Sequence, residues 1–319
     1  MTRALPVLAV DIGGTKIAVA LVTASGRVQH AVRLPTPKAR EGDAGPVMAA
    51  VLEAAHAVAG HAEDGLAGVG VGCGGPMVWP AGDVSPLNLP GLRGYPLRAR
   101  FRAEFPGTTV RVHNDAVCAA AGEHWRGSGR GKRNMLGMVV STGVGGGLVV
   151  DDRLVDGAHG NAGHIGHVVV EPDGPACACG GRGCLEAVAS GPHLAAWARQ
   201  QGWREGMAPG ATTAADLADD ARRGHAVALA ALHRAGTALG VAIASVTALL
   251  DLELVAIGGG LAQAGPLLFE PLTDAYRRHA RMPFMADVVV VPARLGQDAG
   301  LVGAAALVCA GDRYWAGGE

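Results

Sequence analysis

The chain has 319 residues, enough for two domains of ordinary size, and a formal net charge of -1. Proteins that bind nucleic acids or membrane surfaces usually need a basic field to hold phosphates, so this charge argues against both classes. The apolar run at residues 5–10 is too short for a signal sequence or a membrane span, and residues 226–250 carry His233 and Arg234, which favours a buried helix. We therefore expect a cytoplasmic protein whose six cysteines are reduced.

The pattern of apolar residues alternates between strands and helices along the chain. Short β-branched runs predict strands over residues 7–10, 17–22, 66–71, 110–113, 135–140, 148–150, 254–257 and 288–291. Helical spacing predicts helices over 45–60, 116–125 and 299–310, and a mostly helical chain from residue 193 onward. The order of strand, glycine turn and strand occurs twice, which indicates two similar halves. Such alternation predicts two α/β lobes with a cleft between them.

Three glycine-rich segments each follow a predicted strand. They are Asp11-Ile12-Gly13-Gly14-Thr15-Lys16, the run from Ser141 through Thr142 and Gly143 to Gly147, and Gly258-Gly259-Gly260. Glycines allow close approach of the backbone, so N–H groups and threonine hydroxyls would bind phosphates in the first two, and a flat purine would lie against the third. Each segment could instead be a tight turn, and none matches the Rossmann or P-loop pattern.

Two carboxylates at strand ends are candidates for the chemistry of phosphoryl transfer. Asp11 could hold Mg²⁺ through water beside the first glycine segment. Asp115 follows a predicted strand in His113-Asn114-Asp115-Ala116, and a carboxylate there could accept the proton of an alcohol substrate. Asn114 could orient sugar hydroxyls as donor and acceptor. Asp115 could also cap the following helix, and the two roles are compatible.

Four potential metal ligands cluster in the middle of the chain. His167, Cys177, Cys179 and Cys184 form H-x9-C-x-C-x4-C, with glycines between them that let the chain wrap a small ion. Three thiolates and one imidazole suit structural zinc with no open coordination position. The alternative is a set of unrelated buried cysteines, which is the expectation for Cys73, Cys118 and Cys309.

Together these motifs resemble the ROK family (repressors, open reading frames and kinases), and within it the bacterial glucokinase-like enzymes. DIGGTK at 11–16, Asn114-Asp115, STGVGGG at 141–147 and the stretch 157–186 with GHIGH and CACGGRGCLE carry the resemblance. It implies a two-lobed, actin-like (ribonuclease H-like) ATPase fold with the active site in the interdomain cleft. A smaller lobe would span 1–115, joined by the C-terminal helix 299–312, and a larger lobe 116–298 would carry the zinc loop 167–184.

The same resemblance implies the ligands and the site. The implied activity is ATP- and Mg²⁺-dependent transfer to the 6-hydroxyl of a hexose, by a homodimer or homotetramer that contains structural zinc. The implied sugar contacts are Asn88, Asn114, Asp115, His167 and Glu186, with Gly75 at the pocket edge. His167 would bind zinc through one ring nitrogen and a sugar hydroxyl through the other.

One position departs from the family pattern. The family has a glutamate three residues before the zinc histidine, where it accepts hydrogen bonds from the sugar, and this chain has His164 there. A carboxylate accepts from two hydroxyls, whereas a neutral imidazole accepts one hydrogen bond and donates one. The substrate is therefore either plain glucose bound in a shifted pose or a modified hexose, such as an amino sugar (kanosamine, glucosamine), or a cyclitol.

Two other function classes are weaker alternatives. ROK proteins include sugar-responsive repressors, but these carry a helix-turn-helix domain before the DIGGT-like strand, and only residues 1–6 precede it here. A sugar-binding module without turnover would be expected to lack the base or the phosphate loops, and both are present. Polyphosphate is an alternative to ATP as donor, because glycine loops bind phosphates without reading a base.

Overall fold

A computed structural model describes residues 4–204 and 213–318 of the chain. The strands are β1 (Val7–Ile12), β2 (Lys16–Val22), β3 (Val28–Pro35), β4 (Gly68–Cys73), β5 (Met77–Val78), β6 (Asp83–Val84), β7 (Tyr95–Pro96), β8 (Val110–Asn114), β9 (Met135–Val140), β10 (Val144–Val150), β11 (Arg153–Leu154), β12 (Leu254–Gly258) and β13 (Val289–Pro292). The α-helices are α1 (Gly45–Ala59), α2 (Leu97–Glu104), α3 (Asp115–Arg126), α4 (Leu185–Ala189), α5 (Gly191–Gln200), α6 (Ala214–Arg222), α7 (Ala226–Leu250), α8 (Pro266–His279), α9 (Ala299–Cys309) and α10 (Gly311–Tyr314).

The chain forms two compact units, and each is built from separate stretches of sequence. The first comprises residues up to 133, residues 147–163 and residues from 294 onward, and the second comprises residues 134–146 and 164–293. The family resemblance implies a boundary after residue 115, whereas in the structure α3 and residues 147–163 group with the N-terminal sheet. The difference arises because α3 packs on α9, a contact between distant parts of the chain that hydrophobic periodicity does not report.

The first unit is organised around a five-stranded sheet of order β3-β2-β1-β4-β8. β1, β2 and β3 are antiparallel neighbours, while β1, β4 and β8 run parallel. In the parallel part Asp11 lies opposite Gly72, and Gly72 lies opposite His113. Because parallel strands end at one edge of a sheet, the carboxyl ends of β1, β4 and β8 meet there. The predicted N-terminal hairpin is confirmed, while β3 and α2 are elements that the sequence pattern did not predict.

α9 covers this sheet from the C-terminal end of the chain. All its residues from Ala299 to Leu307 are buried. A Cβ atom at Gly70 of β4 would clash with the carbonyl of Ala304, and one at Gly303 would clash with the carbonyl of Cys118 in α3. The glycines therefore allow backbones to touch where any side chain would hold them apart.

The second unit combines a parallel strand set with a helical layer. β9, β12 and β13 lie side by side in that order. α7 is long and apolar enough to cross a membrane by length and composition, but 56% of its apolar window is buried, as expected for a core helix. It packs closely on α8 at two glycines. A Cβ at Gly236 would lie 2.6 Å from the Leu268 carbonyl oxygen, and one at Gly240 would lie 2.7 Å from the Ala275 side chain, so neither position has room for a side chain.

Candidate active site

Asn114 and Asp115 lie where β8 passes directly into α3. Asn114 is the N-cap residue: its Oδ1 accepts the backbone N–H groups of Ala116 (2.9 Å) and Val117 (3.3 Å). Asp115 is the first helical residue, so the interpretation of Asp115 itself as the cap is corrected. Because capping occupies both lone pairs of the Asn114 oxygen, its Nδ2 donors are the groups left for a ligand.

The carboxylate of Asp115 lies in a buried environment. Its Oδ1 accepts the Ala116 N–H at 2.8 Å. Burial raises the pKa of Asp115, and hydrogen bonds from backbone N–H groups oppose part of that rise. A carboxylate with a raised pKa holds a proton more strongly once it has accepted one. This is the property that a general base for an alcohol requires.

Asp11, at the end of β1, lies close enough to Asp115 for their charges to interact. Burial is the main cause that raises the pKa of Asp11 to about 7; the charge of Asp115 adds to it, and Lys16 opposes it. The carboxylate also faces the first turn of α9, where a Cβ on Gly300 would lie 2.5 Å from Oδ2. Two neighbouring carboxylates that repel one another form a pair that a divalent cation would stabilise.

The first glycine segment forms the turn between β1 and β2. The Gly13 N–H donates to the Lys16 carbonyl at 2.9 Å, and Thr36 Oγ1 donates to the Gly13 carbonyl at 2.7 Å. Thr15 at the tip is exposed. The segment is thus a hairpin turn with an exposed tip. This structure is compatible with both interpretations of the sequence, a simple turn and a loop that binds a ligand.

Asn88 packs directly against this turn. A Cβ on Gly14 would lie 2.7 Å from Asn88 Nδ2, and one on Gly74 would lie 3.3 Å from Asn88 Oδ1. Gly75 follows Gly74 at the end of β4. The first unit therefore brings together Asp11, the Gly13–Gly14 turn, Gly75, Asn88, Asn114 and Asp115 around one edge of its sheet.

The second glycine segment is shorter than the sequence predicted. β10 begins at Val144, so Gly145, Gly146 and Gly147 are strand residues and the loop proper is residues 141–143. The Ser141 N–H donates to the Gly143 carbonyl at 2.8 Å and closes the loop. The correction has a simple cause, because a glycine-rich strand carries no β-branched signal by which its start could be recognised.

Glu186 lies against this loop. Its Oε2 accepts the Val144 N–H at 2.9 Å, and a Cβ on Gly143 would lie 2.7 Å from the same oxygen. One carboxylate oxygen of Glu186 therefore fixes the loop that contains Thr142 and Gly143, and Oε1 has no protein partner among the described contacts. The glycine at 143 leaves room for the carboxylate.

The third glycine segment ends β12. Gly258 is the last strand residue, Gly259 has φ +92, and Gly260 precedes a 3₁₀ turn at Leu261–Ala264. At Gly259 a side chain would be strained by φ and would clash with the carbonyl of Val140 in β9. The segment is thus a tight strand-to-helix turn, and Gly260 is exposed.

His167, Cys177, Cys179 and Cys184 come together in the second unit. Their ligand atoms all lie within 4.8 Å of one another. Cys179 Sγ and Cys184 Sγ are 3.7 Å apart, and Cys177 Sγ and His167 Nδ1 are 3.7 Å apart. A tetrahedral zinc ion with Zn–S bonds of about 2.3 Å requires sulfur atoms roughly 3.8 Å apart, so the four residues fit zinc.

The protonation state of the cluster depends on whether a cation is bound. Burial and the neighbouring thiols raise the pKa of Cys184 to about 12, so this thiol would stay protonated at neutral pH without a cation. A divalent cation would favour the thiolate instead. The ring nitrogen of His167 that faces the cluster is Nδ1, which leaves Nε2 directed elsewhere.

An ion pair that sequence analysis did not predict joins the cysteine loop to α7. Arg234 Nη2 lies 2.9 and 2.7 Å from the two carboxylate oxygens of Glu171, and its Nη1 donates to the Val188 carbonyl at 3.2 Å. The Glu171 backbone in turn bonds Gly183, next to Cys184. Glu171 and Arg234 are 63 residues apart, and no short motif could have indicated the pair.

His164 precedes the 3₁₀ turn at Ile165–His167 and stacks on His167. The ring centroids are 5.9 Å apart, with 20° between the planes. The residue that departs from the family pattern therefore stacks on the histidine of the candidate metal cluster. His164, His167 and Glu186 all belong to the second unit, together with Thr142, Gly143 and the turn at 258–260.

The relatives of the chain point to one family. The sequence matches the ROK family over residues 7–310. The chain belongs to the ROK family. A curated relative named glucokinase, from Halalkalibacterium halodurans, is 36% identical over 94% of this chain and 93% of its own length. An N-acetylmannosamine kinase from Yersinia pestis is 38% identical over 93% of this chain and 96% of its own.

The solved structures agree with this placement. A ROK family glucokinase from Streptomyces griseus, in complex with glucose and AMPPNP, superposes with a TM-score of 0.79 at 31% identity, covering 95% of this chain and 98% of that one. The ROK chain described here has the two-lobed, actin-like ATPase fold and is a sugar kinase. The expectation of a kinase of this family is therefore confirmed.

Proposed function

We propose that this ROK sugar kinase transfers the γ-phosphoryl group of ATP to the 6-hydroxyl of a hexose, with Asp115 as the general base. The observation that carries the proposal is the position of the Asp115 carboxylate at the junction of β8 and α3, where its Oδ1 accepts the Ala116 N–H and Asp11 lies nearby; burial there raises the pKa of Asp115. The glucokinase relative and the ATP-analogue complex of the Streptomyces enzyme support the substrate class and the donor.

In the proposed reaction Asp115 accepts the proton of the hydroxyl as its oxygen attacks the γ-phosphorus, and the bond between that phosphorus and the ADP oxygen breaks. Asn114 donates from Nδ2 to a neighbouring sugar hydroxyl, since its oxygen caps α3. Asn88, beside Gly14 and Gly74, would contact the substrate as well. Mg²⁺, held through Asp11, would neutralise phosphate charge, and the backbone at Gly13, Gly14, Thr142 and Gly143 would bind phosphates.

Replacement of Asp115 by Asn tests the base. The amide keeps the shape but accepts no proton, so we expect kcat to fall by about 10²- to 10⁴-fold while calorimetric sugar affinity stays within a fewfold. Asp64→Asn, at an exposed aspartate of the same unit, is the matched control and should retain wild-type kcat. Activity of D115N within tenfold of wild type would assign the proton to another group.

A second candidate substrate is an amino sugar or N-acyl amino sugar. It is favoured by His164, which takes the place of the family glutamate and stacks on His167, and by the N-acetylmannosamine kinase relative. An imidazole both donates and accepts one hydrogen bond, so it would suit a sugar with an altered hydroxyl pattern.

Substitution of the family residue tests this candidate. We expect His164→Glu to shift the ratio of kcat/KM values toward glucose, relative to glucosamine, kanosamine and N-acetylmannosamine, by about tenfold. The panel should include mannose and a cyclitol, with ATP and polyphosphate as donors. An unchanged ratio would mean that His164 does not read the substrate.

Zinc and assembly complete the proposal. His167, Cys177, Cys179 and Cys184 would hold a structural zinc ion, which would fix the ring angle of His167 and leave Nε2 for a sugar hydroxyl. A cytoplasmic homodimer or homotetramer remains our expectation, and sedimentation velocity would measure the assembly.

A further inference from the structure

A buried hydrogen bond joins the residue before Asn114 to a distant loop. His113 is fully buried, Asp156 is 9% exposed, and His113 Nε2 lies 2.9 Å from Asp156 Oδ1. The Asn114 N–H donates to His113 Nδ1 at 2.8 Å. Because a backbone N–H is only a donor, Nδ1 must accept, which assigns the ring proton to Nε2 and makes Asp156 its acceptor. Asp156 therefore fixes the ring against which the Asn114 backbone rests.

The same loop holds a second segment of the candidate sugar site. Asn161 Oδ1 accepts the Met77 N–H at 3.0 Å, and its Nδ2 donates to the Met77 carbonyl at 2.9 Å. Met77 follows Gly75 by two residues. The loop is closed on itself by the Ala162 N–H, which donates to the Asp156 carbonyl at 3.0 Å.

The geometry of the loop leaves little room for adjustment. Gly160 has φ +71, and a Cβ there would clash with the side chain of Trp79. A short loop with both ends bonded and its centre packed against an indole ring cannot shift one contact without the other. Asp156 and Asn161 thus link the end of β8 to the turn after β4.

We propose that Asp156 and Asn161 are positioning residues, which hold Asn114 and the Gly75–Met77 turn at the separation that the sugar requires. The inference rests on the proposed function, because it assumes that these segments contact the sugar. A buried carboxylate is costly unless it is hydrogen-bonded, so the hydrogen bond between His113 and Asp156 adds little net stability. Its main effect is to fix the orientation of the His113 ring. Displacement of a substrate-positioning group by about 1 Å can cost up to 10²-fold in rate.

Four variants separate positioning from mere stability. Asp156→Ala and Asn161→Ala each remove one contact, Asp156→Asn keeps an acceptor oxygen for His113, and His124→Gln is the matched control. His124 is also a buried histidine of the first unit, bonded to the Tyr314 hydroxyl and the Lys132 carbonyl, but it lies near the other end of α3.

We expect Asp156→Ala and Asn161→Ala to raise the KM for the sugar by about tenfold while the KM for ATP stays within twofold, and Asp156→Asn to recover most of the loss. His124→Gln should lower the melting temperature and leave the sugar KM unchanged. A sugar KM within twofold of wild type in folded Asn161→Ala would overturn the proposal, as would equal rises in both KM values. Asn161→Ala decides the matter if Asp156→Ala does not fold.

The proposed function can fail separately. If the wild-type protein phosphorylates no sugar of the panel, the proposed function is wrong, and calorimetric sugar affinities of the same four variants then test positioning alone. A tenfold loss of affinity in Asn161→Ala would uphold positioning, and an unchanged affinity would overturn it.

Discussion

Replacement of Asp11 by Asn should make the ligand-free protein more stable and at the same time inactive. The pKa of Asp11 rises from 3.8 to about 7 on folding, mainly through burial. Between these two values the folded protein binds more protons than the unfolded chain, so the free energy of unfolding falls as pH rises through this window. Asparagine has nearly the same shape and no charge, and it escapes this loss.

The size of the increase in the free energy of unfolding follows from the shift in the pKa of Asp11. About 3 pKa units at roughly 1.4 kcal/mol each give an upper limit of about 4 kcal/mol above pH 7. Asp11 is partly exposed, and solvent screens part of the charge, so we expect about 2 kcal/mol at pH 8. The gain should be about half as large at pH 5.5 and should level off above pH 7.

Urea unfolding at pH 5.5, 7 and 8 without nucleotide or Mg²⁺ measures the gain, with exposed Asp64→Asn as the control that should show none. Activity assays on the same samples should show kcat/KM reduced by about 10²-fold or more, because the carboxylate that we propose to hold Mg²⁺ is gone. A gain that does not change with pH, or a less stable variant, would refute the reasoning that burial strains the ionised carboxylate.

Two further predictions concern the second unit. Cys184→Ala should lose about one equivalent of zinc, measured by mass spectrometry, and melt several degrees lower, measured by calorimetry. Cys309→Ala, outside the cluster, is the control and should keep the metal. An unchanged zinc content in Cys184→Ala would rule out the four-ligand site. Gly143→Ala should lower kcat/KM by about tenfold, because the new methyl group displaces the Glu186 carboxylate, while Gly60→Ala, whose Cβ meets only ordinary contacts at 3.5 Å, should behave as wild type. Equal kinetics for the two glycine variants would contradict the role of Glu186 in holding the loop.

Local signals in the sequence predicted the elements that depend on local forces. The strand-turn-strand arrangement around Gly13 and the start of α3 next to Asp115 follow from β-branched runs and from a polar residue at the helix start, although the capping side chain is that of Asn114 and not that of Asp115. The grouping of His167 with Cys177, Cys179 and Cys184 was predicted because these four potential metal ligands lie within one short segment. By contrast, β3 was missed because most of its residues are exposed and it lacks an apolar alternation.

Contacts between distant residues were beyond the reach of sequence patterns. The partner of His113 lies 43 residues away, and that of Glu186 lies 42 residues away. Neither distance corresponds to a helical or strand period, so only the folded chain could identify these pairs. For the same reason the tautomer of His113 and the donor-only character of Asn114 follow from coordinates, since they depend on which lone pairs the backbone has already taken.

The packing of α9 on the N-terminal sheet has a consequence for folding during synthesis. The strands β1 and β4 emerge from the ribosome before the second unit, but α9, whose backbone meets Gly70, is made only after the second unit. Until then one face of the sheet lacks its cover and exposes apolar strands. A nascent chain of this protein should therefore need a chaperone or a slow, late closing step, and chains truncated before residue 294 should aggregate while the N-terminal strands are already formed.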